Sequence, residues 1–259
     1  MFFELYLIGL GTIMAMMAVL WGLSLILKDS SIVDIFWGAG FVVSGWLFFV
    51  LTPDGFLTRK LIITTLVTIW GLRLSIYIGW RNIGKGEDYR YAKWREEAGS
   101  HWWWRSFFKV FFLQGIIMWV VSAPLLAAQI APNPDRLTWL DYIGVVIWVV
   151  GFYFEAIGDW ELARFKANVE NKGKLLTSGL RRYTRHPNYF GDAAQWWGFY
   201  LIAVSAGGWW IFFSPLVMSI FLRFVSGVTL LQKNLKDTKP GYEEYMRRTN
   251  AFIPWFPRE

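Results

Sequence analysis

The sequence predicts an all-α membrane protein, a polytopic bundle of about seven transmembrane helices with its N-terminus outside and its C-terminus in the cytoplasm. Three observations carry this expectation. Of 259 residues, 55% are hydrophobic and 20% aromatic, with 18 Trp, while only 17% are charged. A soluble domain of this length could not hide so much apolar side chain. Several uncharged stretches reach the roughly 20 residues that span a hydrocarbon core. The remaining charges fall mostly on alternate turns.

Taken in order, the spans are read at residues 5–27, 32–51, 61–80, 107–130, 139–160, 189–206 and 209–231. The first is too long for a signal-peptide core and has no basic leader, so it is expected to be retained. The last two are nearly fused through Gly207-Gly208. The whole chain, 1–259, is read as one integral membrane domain, with residues 132–259 as its cofactor-binding half.

Charge placement sets the expected orientation. One set of turns holds Arg59, Lys60 and Arg136; the other receives Lys28 and the blocks Arg81 to Lys109, Arg164 to Arg185 and Lys233 to Arg258. The positive-inside rule puts the richer set in the cytoplasm. The net charge of +7 is thus topology signal, and no nucleic-acid-binding motif accompanies it. The absence of Cys excludes disulfides, thiolate metal sites and iron–sulfur clusters. Two histidines, His101 and His186, are too few for a His-rich di-iron centre, and no metal is expected.

Ionisable residues inside membrane spans cost about 2.5–3.5 kcal/mol each on insertion scales, so each needs a partner or a wet cavity. Asp34 lies near the inner end of the second span. Arg73 and Tyr77 share a helix face on the third, being four apart. Glu155 and Asp159 share one on the fifth; Asp192 opens the sixth, and Arg223 lies in the seventh. All fall in the expected cytoplasmic half. Interhelical ion pairs would use the same residue types; a functional cavity would explain their common depth.

The richest segment joins the fifth and sixth spans. Asp159, Glu161, Arg164 and Lys166 leave the membrane; Lys172, Lys174, Arg181, Arg182 and Arg185 follow, ending at His186-Pro187 with Asn188, Tyr189 and Asp192 beyond. Acids beneath a basic lid suit a nucleotide, because carboxylates accept from ribose or amide groups while Arg and Lys neutralise phosphates. Pro187 can open a helix whose first N–H groups favour an anion.

The run from Leu175 to Asp192, LLTSGLRRYTRHPNYFGD, closely resembles the NADPH-binding stretch of membrane sterol reductases and steroid 5-alpha-reductases. The chain as a whole resembles a bacterial branch of that superfamily, the DUF1295 proteins. Leu113-Gln114-Gly115 is similar to a Leu-Gln-Gly of the 5-alpha-reductases, and Tyr242 to Pro254 resembles their tail. The resemblance implies an NADPH-dependent reductase of a conjugated C=C bond in a lipophilic steroid-, isoprenoid- or acyl-like molecule. It implies a cofactor site built from Glu155, Asp159, Arg164, Lys166, Arg182, Arg185, His186, Asn188, Tyr189, Asp192 and Arg223. It also places Asp34 near the family's catalytic Glu. The family's proton-donating Tyr aligns with Trp70, so Asp34, Tyr77 and Arg73 become the candidate catalytic groups. Glu155 stands where the family has Asn, and Gly227 where it has an acid or His.

Isoprenylcysteine carboxyl methyltransferases share an Arg-His-Pro-x-Tyr-x-Gly motif and bind S-adenosylmethionine. Their usual paired Glu is replaced here by Leu230-Leu231-Gln232-Lys233-Asn234. An S-adenosylmethionine-dependent methyltransferase therefore stands as the alternative, with a non-catalytic lipid-binding or transport protein third. The expected partners are the lipid bilayer and a lipophilic small molecule, and the expected location is the bacterial inner membrane.

Overall fold

The computed structural model describes residues 1–225, 228, 232 and 238–258, and every regular element among them is helical. Five helical runs are long and apolar enough to cross a bilayer: Phe2–Leu27, Ile32–Leu51, Leu57–Asn82, Tyr89–Ile130 and Trp139–Ala167. The fold is an all-helical bundle suited to a membrane. Beyond these five, Pro187–Ser205 is a helix of 19 residues, and Trp209–Val225 is a shorter apolar one. Part of the expected 209–231 span, including Gly227, Leu230 and Leu231, lies outside the described residues, as do Lys233 and Asn234.

The chain folds as two compact units, Met1–Thr138 with Ile202–Ile211, and Trp139–Leu201 with Phe212–Glu259. In the first unit, α1 (Phe2–Leu27) has 26 residues, a rise of about 39 Å. It ends at Lys28 in the left-handed region (φ 53°), where the Asp29 N–H returns to the Ser24 carbonyl at 3.1 Å. The Asp29 carboxylate then accepts from the backbone N–H of Ser31 at 2.8 Å, fixing the entry into α2 (Ile32–Leu51). Many residues on these helices are apolar yet exposed, Ile26, Val50 and Ile76 among them. That pattern fits a helix whose outer face meets lipid rather than water.

α2 packs on α3 (Leu57–Asn82) backbone to backbone. A side chain at Gly38 would meet the Gly71 carbonyl, and one at Gly71 the Gly38 carbonyl. Close approach through small residues is how helices associate where lipid removes the hydrophobic drive between them. Phe41, Phe48, Val67 and Trp70 fill the contact and are fully buried. α4 (Tyr89–Ala98) is capped by Asp88, whose carboxylate accepts from the Arg90 N–H at 3.0 Å. α5 (Trp102–Ser106) runs through a π-helical turn, Phe107–Phe112, into α6 (Leu113–Val121) and α7 (Ala123–Ile130).

Arg59 and Lys60, expected as loop charges, lie buried in the first turn of α3. Arg59 donates to the Arg136 carbonyl at 3.1 Å, and Lys60 to the Thr52 carbonyl at 2.5 Å over the Phe49 ring. Carbonyls freed at helix ends satisfy both cations, so a turn that reads as weakly basic presents little free charge.

In the second unit, α8 (Trp139–Ala167) meets α9 (Pro187–Ser205) where Gly151 faces Gly191. Trp148 stacks on Phe152 at 5.0 Å beside Phe199. α10 (Phe213–Ile220) continues into a π-helical turn, Phe221–Val225, and α11 (Tyr242–Arg248) opens the tail. The tail docks on the loop before α9. The Arg185 N–H donates to the Asn250 carbonyl at 2.9 Å, Thr184 Oγ1 to that of Phe252 at 2.8 Å, and the Trp255 N–H to that of Tyr183 at 3.0 Å.

Candidate functional site

The loop between α8 and α9 is shaped by one acid and one glycine. Glu161, on the last turns of α8, accepts from the Leu180 N–H at 3.1 Å. Gly179 sits at φ 62°, with the Glu161 carboxylate where a β-carbon would be. A side chain there would be strained in backbone and would displace the carboxylate. Pinned this way, the 3-10 turn Gly179–Arg182 presents the carbonyls of Arg181 and Arg182 to the tail. Arg181 Nη1 donates to the Arg185 carbonyl at 2.6 Å, and the Tyr245 hydroxyl donates to the Arg181 carbonyl at 2.5 Å.

These contacts enclose a cavity of about 600 Å³, within the range of small-molecule sites. Its described lining carries six cationic side chains, Lys166, Lys172, Lys174, Arg181, Arg185 and Lys239, with Tyr242 and Tyr245, and no Asp or Glu. Burial pushes the guanidinium pKa values of both Arg181 and Arg185 down from their usual range. Arg181 Nε, Arg185 Nε and Nη1, and His186 Nε2 are buried without a hydrogen-bond partner among the described residues. The Tyr242 hydroxyl lies against the Arg185 guanidinium without closing a hydrogen bond of good geometry. Buried donors left open are costly. Burial, then the charges of Arg181, Arg185 and Arg223, hold the His186 pKa down to about 3. Its ring stacks on Tyr189 at 5.7 Å.

The remaining expected cofactor residues distribute as follows. Glu155, buried on α8, accepts from Gln195 Nε2 on α9 at 2.6 Å. Asp159 and Asp192 are buried nearby in sequence on the same two helices, and Asn188 is half-buried in the first turn of α9. Arg164 is exposed and stacks on Trp160 at 5.3 Å; Arg182 is exposed and contributes its carbonyl to the tail. Arg223 lies over Phe224 at 5.0 Å and lines a different, largely apolar cavity of about 500 Å³ with Ser219 and Asn250. Of the expected set, Lys166 and Arg185 line the basic cavity. Lys172, Lys174, Arg181 and Lys239 join them there, as do Tyr242 and Tyr245, whose three-residue spacing on α11 was the available signal.

The first unit carries its own polar cluster. Asp34, in the first turn of α2, accepts from the Tyr91 hydroxyl at 2.7 Å and from Arg90 Nη2 at 3.0 Å. Arg90 also holds Asp88 at 3.0 Å, and Arg95 pairs with Glu87 at 2.8 Å. The hydrogen bonds from Arg95 and Ser30 draw the Glu87 carboxyl pKa below its usual range despite partial burial. Arg73 and Arg81 stack on Tyr77 at 5.2 and 5.7 Å. The tyrosine bonded to Asp34 is thus Tyr91, a residue the sequence reading passed over inside a basic block. Trp70 packs on Phe41 at 5.5 Å in the core.

The sequence model of DUF1295, described as a protein of unknown function, matches residues 20–249. The chain belongs to the DUF1295 family. An uncharacterised protein of Schizosaccharomyces pombe is 27% identical over 268 residues, spanning 91% of this DUF1295 chain and 76% of the relative. The 3-oxo-5-alpha-steroid 4-dehydrogenase 1 of Bos taurus is 26% identical over 112 residues, 43% of this chain and 40% of the bovine protein. Both relatives are eukaryotic and give no support to the expected bacterial inner membrane. No solved structure gives a significant match. The weak similarity to the bovine protein is consistent with the steroid reductase superfamily.

Proposed function

We propose that this DUF1295 protein is a membrane reductase that uses NADPH to reduce a conjugated C=C bond in a lipophilic molecule. The observation that carries the reading is the basic cavity of the second unit, with six cations, no described acid and buried guanidinium donors left open. A doubly phosphorylated dinucleotide supplies the anionic oxygens those donors lack. A sulfonium ligand such as S-adenosylmethionine brings a positive centre instead, and suits this lining less. The similarity to a protein named for 3-oxo-steroid chemistry points the same way.

On this reading Arg181 and Arg185 bind phosphate oxygens, and the three lysines of the loop and α8 extend the cationic wall. Tyr242 and Tyr245 present ring faces for packing. Glu155, Asp159, Asn188 and Asp192 are the polar groups for ribose and amide contacts. The bound cofactor would supply a hydride to the electron-poor carbon of the double bond. The protein must then stabilise enolate-like charge on the acceptor. We assign that acid to the Asp34 cluster: the Tyr91 hydroxyl, held by Asp34 at rest, would give its proton to the acceptor once its hydrogen bond to Asp34 opens. Tyr77, stacked by two arginines, remains the second candidate donor.

The same reading places the basic loops on the cytoplasmic side, so a label in the 132–138 loop should react from outside. The deciding experiment is thermal unfolding of detergent-purified protein with NADPH, NADH or S-adenosylmethionine. A ligand confined to the folded state raises stability by RT ln(1 + [L]/Kd). NADPH should stabilise most. Stabilisation by S-adenosylmethionine alone would replace the reductase by a methyltransferase.

A further inference from the structure

A third cavity lies in the first unit, far along the chain from the basic loop. It has a volume of about 440 Å³ and is walled by Trp94, Trp102 and Trp104, with Glu97, Arg105 and Lys109 at its polar side. Lys109 Nζ sits 4.4 Å above the Trp94 ring, and the Arg105 guanidinium lies 5.5 Å above Trp104. A cation held on a ring face keeps its charge and its outward N–H donors. Neither Arg105 nor Lys109 has a carboxylate or carbonyl partner among the described residues, whereas nearby Arg95 is closed by Glu87. Trp102 is 3% exposed, and its indole N–H finds no acceptor among the described residues.

The pocket's place along the chain is specific. α4 on one side is rich in charge, while no charged residue occurs between Lys109 and Asp135 on the other. Phe108, in its lining, is exposed, as are Trp103 and Leu113 on the same stretch of chain. Trp at the switch from charged to uncharged chain marks headgroup depth. The helix runs as a π-turn over Phe107–Phe112, which re-aims Lys109 relative to a continued α-helix. The α5 backbone is anchored as well, since Trp21 Nε1 donates to the Trp103 carbonyl at 2.8 Å.

We propose that this pocket binds the phosphodiester headgroup of an anionic glycerophospholipid. Arg105 and Lys109 neutralise the phosphate, and the tryptophan rings pack the glycerol and upper acyl carbons. A phosphodiester at that depth meets both cations from the bilayer side without leaving its own monolayer. Glu97 stands at the same rim and disfavours a second phosphate, which selects a singly charged headgroup.

The test is thermal unfolding in neutral detergent with short-chain phosphatidylglycerol, phosphatidylcholine or inorganic phosphate, on wild type and Arg105→Gln/Lys109→Gln. Phosphatidylglycerol should raise the wild-type midpoint saturably, and the double variant should bind it at least about tenfold more weakly. Equal shifts from phosphatidylcholine, a full response to phosphatidylglycerol in the double variant, or an inorganic-phosphate shift that equals the phosphatidylglycerol shift and is lost in the double variant would each overturn the proposal. If the double variant is already unstable without lipid, native mass spectrometry of Lys109→Gln decides. Loss of retained phosphatidylglycerol supports the site, and wild-type retention removes it.

Discussion

The Tyr91 hydroxyl donates to Asp34 at 2.7 Å across 57 residues of sequence, joining the start of α4 to the start of α2. Arg90 reaches the other oxygen of the same carboxylate at 3.0 Å. The pair ties a polar helix to a membrane span through a charge-assisted contact, and it puts a hydroxyl proton under the control of one acid.

Tyr91→Phe should therefore slow turnover of an accepted enone at least tenfold, about 1.4 kcal/mol of barrier, with NADPH affinity close to wild type. Losing a hydrogen bond to a charged group should also lower stability by about 1.5–3 kcal/mol. Tyr77→Phe should change turnover less than threefold. Steady-state kinetics with NADPH titration check both. A wild-type rate in Tyr91→Phe, with a slow Tyr77→Phe, would return the acid to Tyr77.

Arg185 faces the basic cavity with two nitrogen donors unpartnered among the described residues. Arg185→Gln should weaken NADPH binding at least tenfold, a loss of about 1.4 kcal/mol. Wild-type affinity should fall as salt rises, and the variant's should fall less steeply, because one screened contact is already gone. Parallel salt slopes in the two proteins would take Arg185 out of the phosphate site.

Gly38→Ala should damage the first unit more than its size suggests. The added methyl would press on the Gly71 carbonyl, which is backbone and cannot rotate away. Overpacking typically costs about 1–3 kcal/mol, so the unfolding midpoint should drop clearly. Gly11→Ala on α1, where a β-carbon would meet open space, is the control and should be neutral.

These contacts also show what a sequence can and cannot disclose. Helices long enough to span a bilayer are written in uninterrupted apolar runs, so α1 and α2 were legible almost to their ends, while α3 begins four residues earlier than expected and α8 runs seven residues past its apolar stretch, to Ala167. The basic character of the loop from Arg181 to Arg185 was legible from its closely spaced charges, but the acids expected beneath it are not in the described lining of the cavity, and Arg182 is exposed outside that lining. The Asp34–Tyr91 bond was not legible, since hydropathy and helix spacing say nothing about residues 57 apart. Arg59 and Lys60 misled in the opposite sense. Charge counts treat a lysine as free, whereas the freed carbonyls that bury it appear only when the chain is folded. Lys239 and Tyr242 reach the cavity through the docking of the tail, which no local pattern encodes.

The last prediction concerns acid. His186 is buried, and burial together with Arg181, Arg185 and Arg223 lowers its pKa from 6.5 to about 3. Above pH 6.5 the imidazole is neutral in folded and unfolded chains alike, so it adds no pH dependence there. Between 6.5 and 3 only the unfolded chain takes up the proton, and stability falls as pH falls, by about 1.4 kcal/mol per unit. From pH 7 to pH 5 this group alone should cost roughly 2 kcal/mol. Glu87, held below the usual carboxylate range, loses its contacts only below this interval and adds little to the slope above pH 5. His186→Gln keeps a neutral polar group and removes the titration. The variant should lose less stability than wild type over that interval, with the difference read from unfolding midpoints at pH 7, 6 and 5. Identical pH profiles in the two proteins would mean that His186 is as easily protonated folded as unfolded.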